Sequence, residues 1–206
     1  DMNLVWSALQ WPLAPSAADV TSRAAELTVR GTPENWTLSG DVAISGRDIP
    51  EGSFTLTGNG TNESLSLRID ESQVLGGNVR GELAYSWVRE NAYSATLDAR
   101  GLRTAAFTPD YPGQVSSRFA ARGQLSPFAL DLEIDELSGE LRSQPFTASG
   151  RVNIDGDDVR TEQLLVESGV SSLLLHGDWQ ADDGLQFVVD IESLADFLPE
   201  TAGSLR

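Results

Sequence analysis

The feature that most constrains this chain is a strict two-residue alternation. From Phe146 onward, Phe146, Ala148, Gly150, Val152 and Ile154 fall on one side, and Thr147, Ser149, Arg151 and Asn153 on the other. Period-2 alternation is the mark of a half-buried β-strand, because successive side chains leave the pleat on opposite faces. The same phrase occurs earlier as Phe54-Thr55-Leu56-Thr57-Gly58, at an offset of 146 − 54 = 92 residues. The chain therefore reads as repeats of one glycine-marked strand pattern.

The rest of the chain keeps the same grammar. Alternating runs begin at Leu4, Ala25, Trp36, Phe54, Leu65, Val79, Tyr93, Val115, Phe128, Phe146, Leu173 and Leu185. They are separated by turn compositions such as Gly31-Thr32-Pro33, Ile49-Pro50-Glu51-Gly52, Gly58-Asn59-Gly60-Thr61-Asn62, Asp155-Gly156-Asp157-Asp158 and Ala181-Asp182-Asp183-Gly184. The runs from Leu173 and Leu185 extend to Trp179 and Ile191. Trp11-Pro12-Leu13-Ala14-Pro15 ends the first run, since proline cannot donate to a sheet ladder. Thr104 to Phe107 could form one helical turn, and Ser193 to Phe197 reads as a short helix. No long segment has a 3.6-residue period, so the spacing predicts an all-β protein of about a dozen or more antiparallel strands. With about thirteen strands near 4.8 Å apart, the sheet should run roughly 60 Å.

The recurrence goes beyond one phrase. Leu4, Leu97 and Val189 correspond, as do Trp6, Ala99 and Ile191, and Leu9, Leu102 and Leu194. A period near 92 residues exceeds the roughly 20–50 residues of solenoid coils and fits repeats that each add several strands. The chain reads as one piece, residues 1–206, of a longer repeating sheet, cut at both ends, with a candidate repeat boundary at 104–114 around Pro109-Asp110-Tyr111-Pro112-Gly113.

Composition removes several functions. The formal net charge is −17, and every basic residue is arginine, so nucleic acid is not an expected partner. There is no cysteine, hence no disulfide and no thiolate chemistry. The lone histidine, His176, is out of phase with Leu173, Leu175 and Gly177 and belongs on the polar side. Asp157-Asp158 and Asp182-Asp183 lack the spacing of a calcium loop and suit hairpin turns. Three sequon matches, at Asn35, Asn59 and Asn62, are short enough to arise by chance. No catalytic constellation, metal site or cofactor motif emerges, and the expectation is a protein that is not an enzyme and carries no cofactor. No run reaches the roughly 18 apolar residues of a membrane span.

One difficulty remains for so many strands. Open sheets beyond about ten strands usually curl or split. Either this sheet folds on itself into a filled sandwich, or it curls into a trough whose apolar face meets a non-protein partner. Phase alone predicts the inward side chains: Phe54, Leu56, Leu65, Leu67, Ile69, Val79, Leu83, Tyr85, Leu97, Leu130, Leu132, Ile134, Phe146, Val152, Leu175, Phe187, Val189 and Ile191.

The chain resembles the TamB family, relatives of AsmA and the inner-membrane component of the translocation and assembly module. The resembling residues are Leu9-Gln10-Trp11-Pro12-Leu13; Leu75-Gly76-Gly77 with Val79, Gly81 and Leu83; Phe107, Pro109, Pro112 and Gly113; and Leu137-Ser138-Gly139-Glu140-Leu141-Arg142 before Pro145-Phe146, Ala148 and Gly150. The resemblance implies a long antiparallel sheet curled into a half-tube, a β-taco with an apolar inner groove, in the periplasm of a Gram-negative bacterium. It implies a full-length protein anchored in the inner membrane, with this chain an internal segment. It also implies an outer-membrane barrel partner of the Omp85 type (TamA-like), met through regions outside this segment. Two functions follow. One is conduction of phospholipids between the membranes, with acyl chains against the predicted inward residues and headgroups at the open slit. The other is a scaffold that helps outer-membrane β-barrels or autotransporters assemble by strand pairing.

Overall fold

The computed structural model describes residues 1–11, 20–46, 51–88, 90–106 and 109–192. The turn predicted around Ile49-Pro50 lies partly outside them, and the short helix predicted at 193–197 wholly so. The alternating runs become β1 (Met2–Trp6), β2 (Leu9–Trp11), β3 (Val20–Thr32), β4 (Asn35–Gly46), β5 (Gly52–Gly60), β6 (Ser64–Val74), β7 (Gly77–Ser86), β8 (Ala92–Arg103), β9 (Gly113–Leu125), β10 (Phe128–Leu141), β11 (Gln144–Asp155), β12 (Asp158–Ser168), β13 (Ser171–Asp178) and β14 (Leu185–Asp190). A 3-10 turn, Thr104–Ala106, follows β8.

All fourteen strands form one antiparallel sheet in which each strand from β3 onward pairs with the next in sequence. β1 and β2 both lie along β3 in a common register, Trp6 opposite Ala25 and Leu9 opposite Ser22, so together they make one interrupted edge strand. Among the described residues the other edge is β14, and the sheet does not close. Pairing continues from β8 to β9 across the proline-rich connection. The long recurrence now has a structural unit. The two Phe-containing phrases lie in β5 and β11, six places apart in the sheet order, and Leu4, Leu97 and Val189 lie in β1, β8 and β14 at the same interval.

Three local readings change. β5 runs on to Gly60, so the turn begins at Thr61, where the Thr61 N–H donates to the Ser64 carbonyl at 2.8 Å. Trp179 lies in the turn after β13. β12 has no counterpart among the predicted runs, because its alternation changes phase in mid-strand.

That phase change is a β-bulge, and it recurs. Extra residues interrupt the register of β3 at Arg23, β6 at Asp70-Glu71, β8 at Arg100-Gly101, β10 at Asp135-Glu136 and β12 at Glu162-Gln163. Each bends its strand and sharpens the local twist. Gly101 takes φ 66°, a conformation only glycine adopts cheaply. The bulges run close to one line across the sheet. Ser72 lies opposite Val79, Val79 opposite Ala99, Ala99 opposite Ser117, Ser117 opposite Leu137, and Leu137 opposite Ala148.

This line is the crease of the curl. Ala25, Ile69, Val74, Ala99 and Ala148, the buried apolar side chains among the described residues, all lie on or near it. No second layer covers them, so the bending of the sheet toward their own face does. A filled sandwich is thereby excluded for the described residues. Away from the crease the same face is half-buried and the opposite face exposed, as in β4 and β5.

Bulging breaks ladder hydrogen bonds, and buried hydroxyls replace them. The Ser72 Oγ, 2% exposed, accepts from the Thr55 N–H at 3.1 Å and donates to the Asp70 carbonyl at 2.8 Å. Ser22 Oγ accepts from Trp6 Nε1 and donates to the Ala43 carbonyl. Thr161 Oγ1 donates to the Arg151 carbonyl at 2.9 Å. The crease thus satisfies its polar groups internally and presents little polarity to whatever fills the trough.

Candidate functional site

Directly opposed residues of an antiparallel pair share a face, so the register assigns every strand side chain to one side. One row can be followed from edge to edge: Leu4, Leu27, Gly40, Leu56, Ile69, Gly81, Leu97, Phe119, Ile134, Gly150, Leu164, Leu175 and Phe187. Every member is apolar or glycine. The neighbouring row, running Met2, Val29, Leu38, Gly58, Leu67, Leu83, Ala95, Ala121, Leu132, Val152, Thr161, Gly177 and Leu185, is interrupted only by Thr161. That hydroxyl is already bonded to backbone.

The register places every residue of the predicted inward set within β5–β14 on this face. Phe54 joins through Val42, Leu65 and Tyr85 through each other, Val79 through Ala99, Leu130 through Gly123, Phe146 through Gly139 and Val189 through Leu173. Ile191, one residue past β14, continues its alternation. Among the described residues no charged side chain occupies a ladder position on this face. The set was incomplete. Val74, Leu137, Leu164 and Val166 also face inward, but they lie beyond bulges that reset the phase. A signal for them was present: the polar doublets Asp70-Glu71, Asp135-Glu136 and Glu162-Gln163 mark where alternation must be restarted.

The opposite face is polar and cross-linked by charge. Asp98 receives both Arg80, at 2.9 Å, and Arg100, at 3.0 Å. The hydrogen bonds from Arg100 and Arg80 hold the Asp98 carboxyl at about 2, well below its usual 3.8. Arg151 bonds Glu133 at 2.8 Å, and Arg160 bridges Asp158 and Asp178. Such exposed pairs are individually weak and serve chiefly to keep this face wet. A hollow of about 550 Å³ on this side is walled by Arg68, Arg80, Asp98, Arg100 and Arg118. His176 lies opposite Gln186, out of phase with the apolar row. No group of three or more His, Asp or Glu side chains that could hold a metal occurs among the described residues.

One margin of the inner face is aromatic. Trp36, Gly60, Leu65, Tyr85, Tyr93, Gly123 and Leu130 form the row nearest the turns at 33–34, 61–63 and 87–91. The Trp36 ring lies across Gly60, where a Cβ would overlap it. Polar ends of these rings are tied to the margin. Trp36 Nε1 donates to the Thr61 carbonyl, Trp87 Nε1 to the Asn62 carbonyl, Tyr85 Oη to Asn91 Oδ1 and Tyr93 Oη to the Ala129 carbonyl. A smaller apolar hollow, about 240 Å³, opens beside them between Leu65, Leu67, Leu83, Tyr85, Tyr93 and Ala95.

A long unclosed sheet curled as a half-tube, apolar on one face and charged on the other, defines the β-taco class. The chain belongs to the TamB family: the family model for the TamB N-terminal domain matches residues 1–206. No solved structure matches it. Among the described residues no helix is long and apolar enough to cross a membrane.

Proposed function

We propose that this chain is a segment of a periplasmic conduit that moves phospholipids between the inner and outer membranes of a Gram-negative envelope, in support of outer-membrane biogenesis. The single observation that carries the reading is the apolar row from Leu4 to Phe187, unbroken across thirteen strands from β1 to β14. A row crossing all strands runs along the axis of the half-tube, so an acyl chain could advance from strand to strand without meeting a polar group. Each CH₂ kept from water there contributes about 0.8 kcal/mol. The role is that of a passage and not of an enzyme. The whole protein is anchored in the inner membrane and meets a TamA-like barrel through regions outside this chain.

A second reading is favoured by a separate feature. Among the described residues no further strand pairs with the edges β1 and β14, and β14 exposes Phe187 and Val188. Such edges can accept a strand from an unfolded outer-membrane protein, which would make the chain an assembly scaffold.

The test uses one strand. Leu97 and Ser94 lie on β8, Leu97 inward and Ser94 outward opposite Arg122. Leu97→Asp places a charge in the passage, where hydrocarbon penalises it by at least about 2.5 kcal/mol, a factor of about 70. Full-length protein carrying Leu97→Asp should lose transfer of labelled phospholipid between vesicles. Ser94→Asp should keep it, and Leu97→Ala should lose little. Equal transfer by the two Asp variants, both folded, would remove the conduit and leave the scaffold.

A further inference from the structure

We infer that the aromatic margin of the trough is a headgroup-selecting rim, which accepts zwitterionic lipids bearing an ammonium group and disfavours anionic ones. The inference rests on the conduit reading and adds to it the class of lipid carried. Its first basis is the placement of amphipathic rings. Trp36, Tyr85 and Trp87 gather at one end of the strands, on or beside the inner face, with their N–H and O–H groups bonded to the margin itself. Rings with an apolar body and an anchored polar tip belong where hydrocarbon gives way to headgroups. Trp87 is 40% exposed, with the Tyr85 ring tilted beside it at 6.2 Å between centroids.

The second basis is charge complementarity. The turns that hold these rings carry Glu34, Glu63 and Glu90. The Trp87 backbone N–H donates to the Glu63 carbonyl at 3.2 Å, and Tyr85 Oη donates to Asn91 Oδ1, on the residue after Glu90. None of the three glutamates forms an ion pair with an arginine among the described residues; Arg89, next to Glu90, lies outside them. Farther along the same margin come Asp157, Asp182 and Asp183. The opposite margin is different. It carries Arg142, stacked 4.4 Å from the Tyr111 ring centroid, and Arg103 beside Gly76.

An ammonium group at the aromatic margin meets carboxylates and the faces of electron-rich rings, both of which attract it. A net-anionic headgroup meets the same carboxylates, and among the described residues none of the three is neutralised by an ion pair with an arginine, so at the roughly 8 Å over which charge acts at physiological salt they repel it. The acyl chains are indifferent to this difference, so the rim selects by headgroup while the trough binds by hydrocarbon.

The experiment loads full-length protein from vesicles of equal phosphatidylethanolamine and phosphatidylglycerol with matched acyl chains, and measures bound lipid by mass spectrometry. The expected result is an enrichment of phosphatidylethanolamine of about fivefold, the scale of a few exposed charge contacts acting together. It should fall toward onefold in the triple variant Glu34→Gln, Glu63→Gln, Glu90→Gln, and in high salt. These are exposed turn positions, and the changes preserve shape. Equal loading of the two lipids, or an enrichment that survives in the triple variant, overturns the selecting rim and leaves the conduit intact. No lipid bound by the unaltered protein overturns the conduit, and the rim with it.

Discussion

Replacing Ser72 by alanine tests whether the crease is held by buried hydroxyls. Ser72 is 2% exposed and its Oγ bonds two backbone groups that the bulge at Asp70-Glu71 has removed from the ladder. Without it the Thr55 N–H has no acceptor. Leaving such a donor unmade costs about 1–3 kcal/mol when fully buried. Thr55 turns its side chain to solvent on the outer face, so the lower part of the range applies, about 1–2 kcal/mol. The main contacts of each strand are with its sheet neighbours, as in repeat proteins, and the loss should stay local. Amide hydrogen exchange is therefore the assay. Thr55 should exchange about 5- to 30-fold faster in Ser72→Ala, with smaller changes in β5 and β6 and none in β11 or β12. Ser66→Ala, on the outer face of the same strand, is the control and should change nothing. Exchange at Thr55 within about twofold of the unaltered chain would refute the hydroxyl-for-ladder account.

Gly60→Ala should drive the Trp36 ring off the strand and break its bond to the Thr61 carbonyl, costing about 1–3 kcal/mol; a red-shifted Trp36 emission, taken as the difference against Trp36→Phe, checks it. Asp98→Asn should destabilise β7–β9 by about 1 kcal/mol at neutral pH, because the two arginines that hold Asp98 are themselves largely exposed and screened. The folded pKa, about 2, lies below the usual 3.8, so this stability is complete above about pH 5. It is lost as pH falls through 2, and the two proteins should converge there in a pH series of thermal unfolding.

Much of the fold was legible because a pleat is a local property. Between bulges, alternation in the sequence is alternation in space, and the inward assignments of Phe54, Leu67, Leu83, Leu132 and Phe187 needed no knowledge of their partners. The recurrence near 92 residues was equally visible, and the sheet turns it into six strands. β12 was not legible. Val159 and Thr161 are odd-numbered, Leu164 and Val166 even-numbered, and neither pair alone makes a run. Reading the polar doublet Glu162-Gln163 as a bulge would have joined them.

By itself, then, the sequence determined that the chain is strands, that each strand has an apolar side, and that those sides carry no charge. All of that is encoded residue by residue in side-chain polarity and the two-residue pleat. Only the tertiary structure decided that the apolar sides merge into one uninterrupted face, that bulges on separate strands line up as a crease, and that nothing in the described chain covers the result. Those are relations between strands far apart in sequence. A bulge is defined by the partner it is out of step with, and an open face by the absence of a layer against it, and neither is written in any single segment.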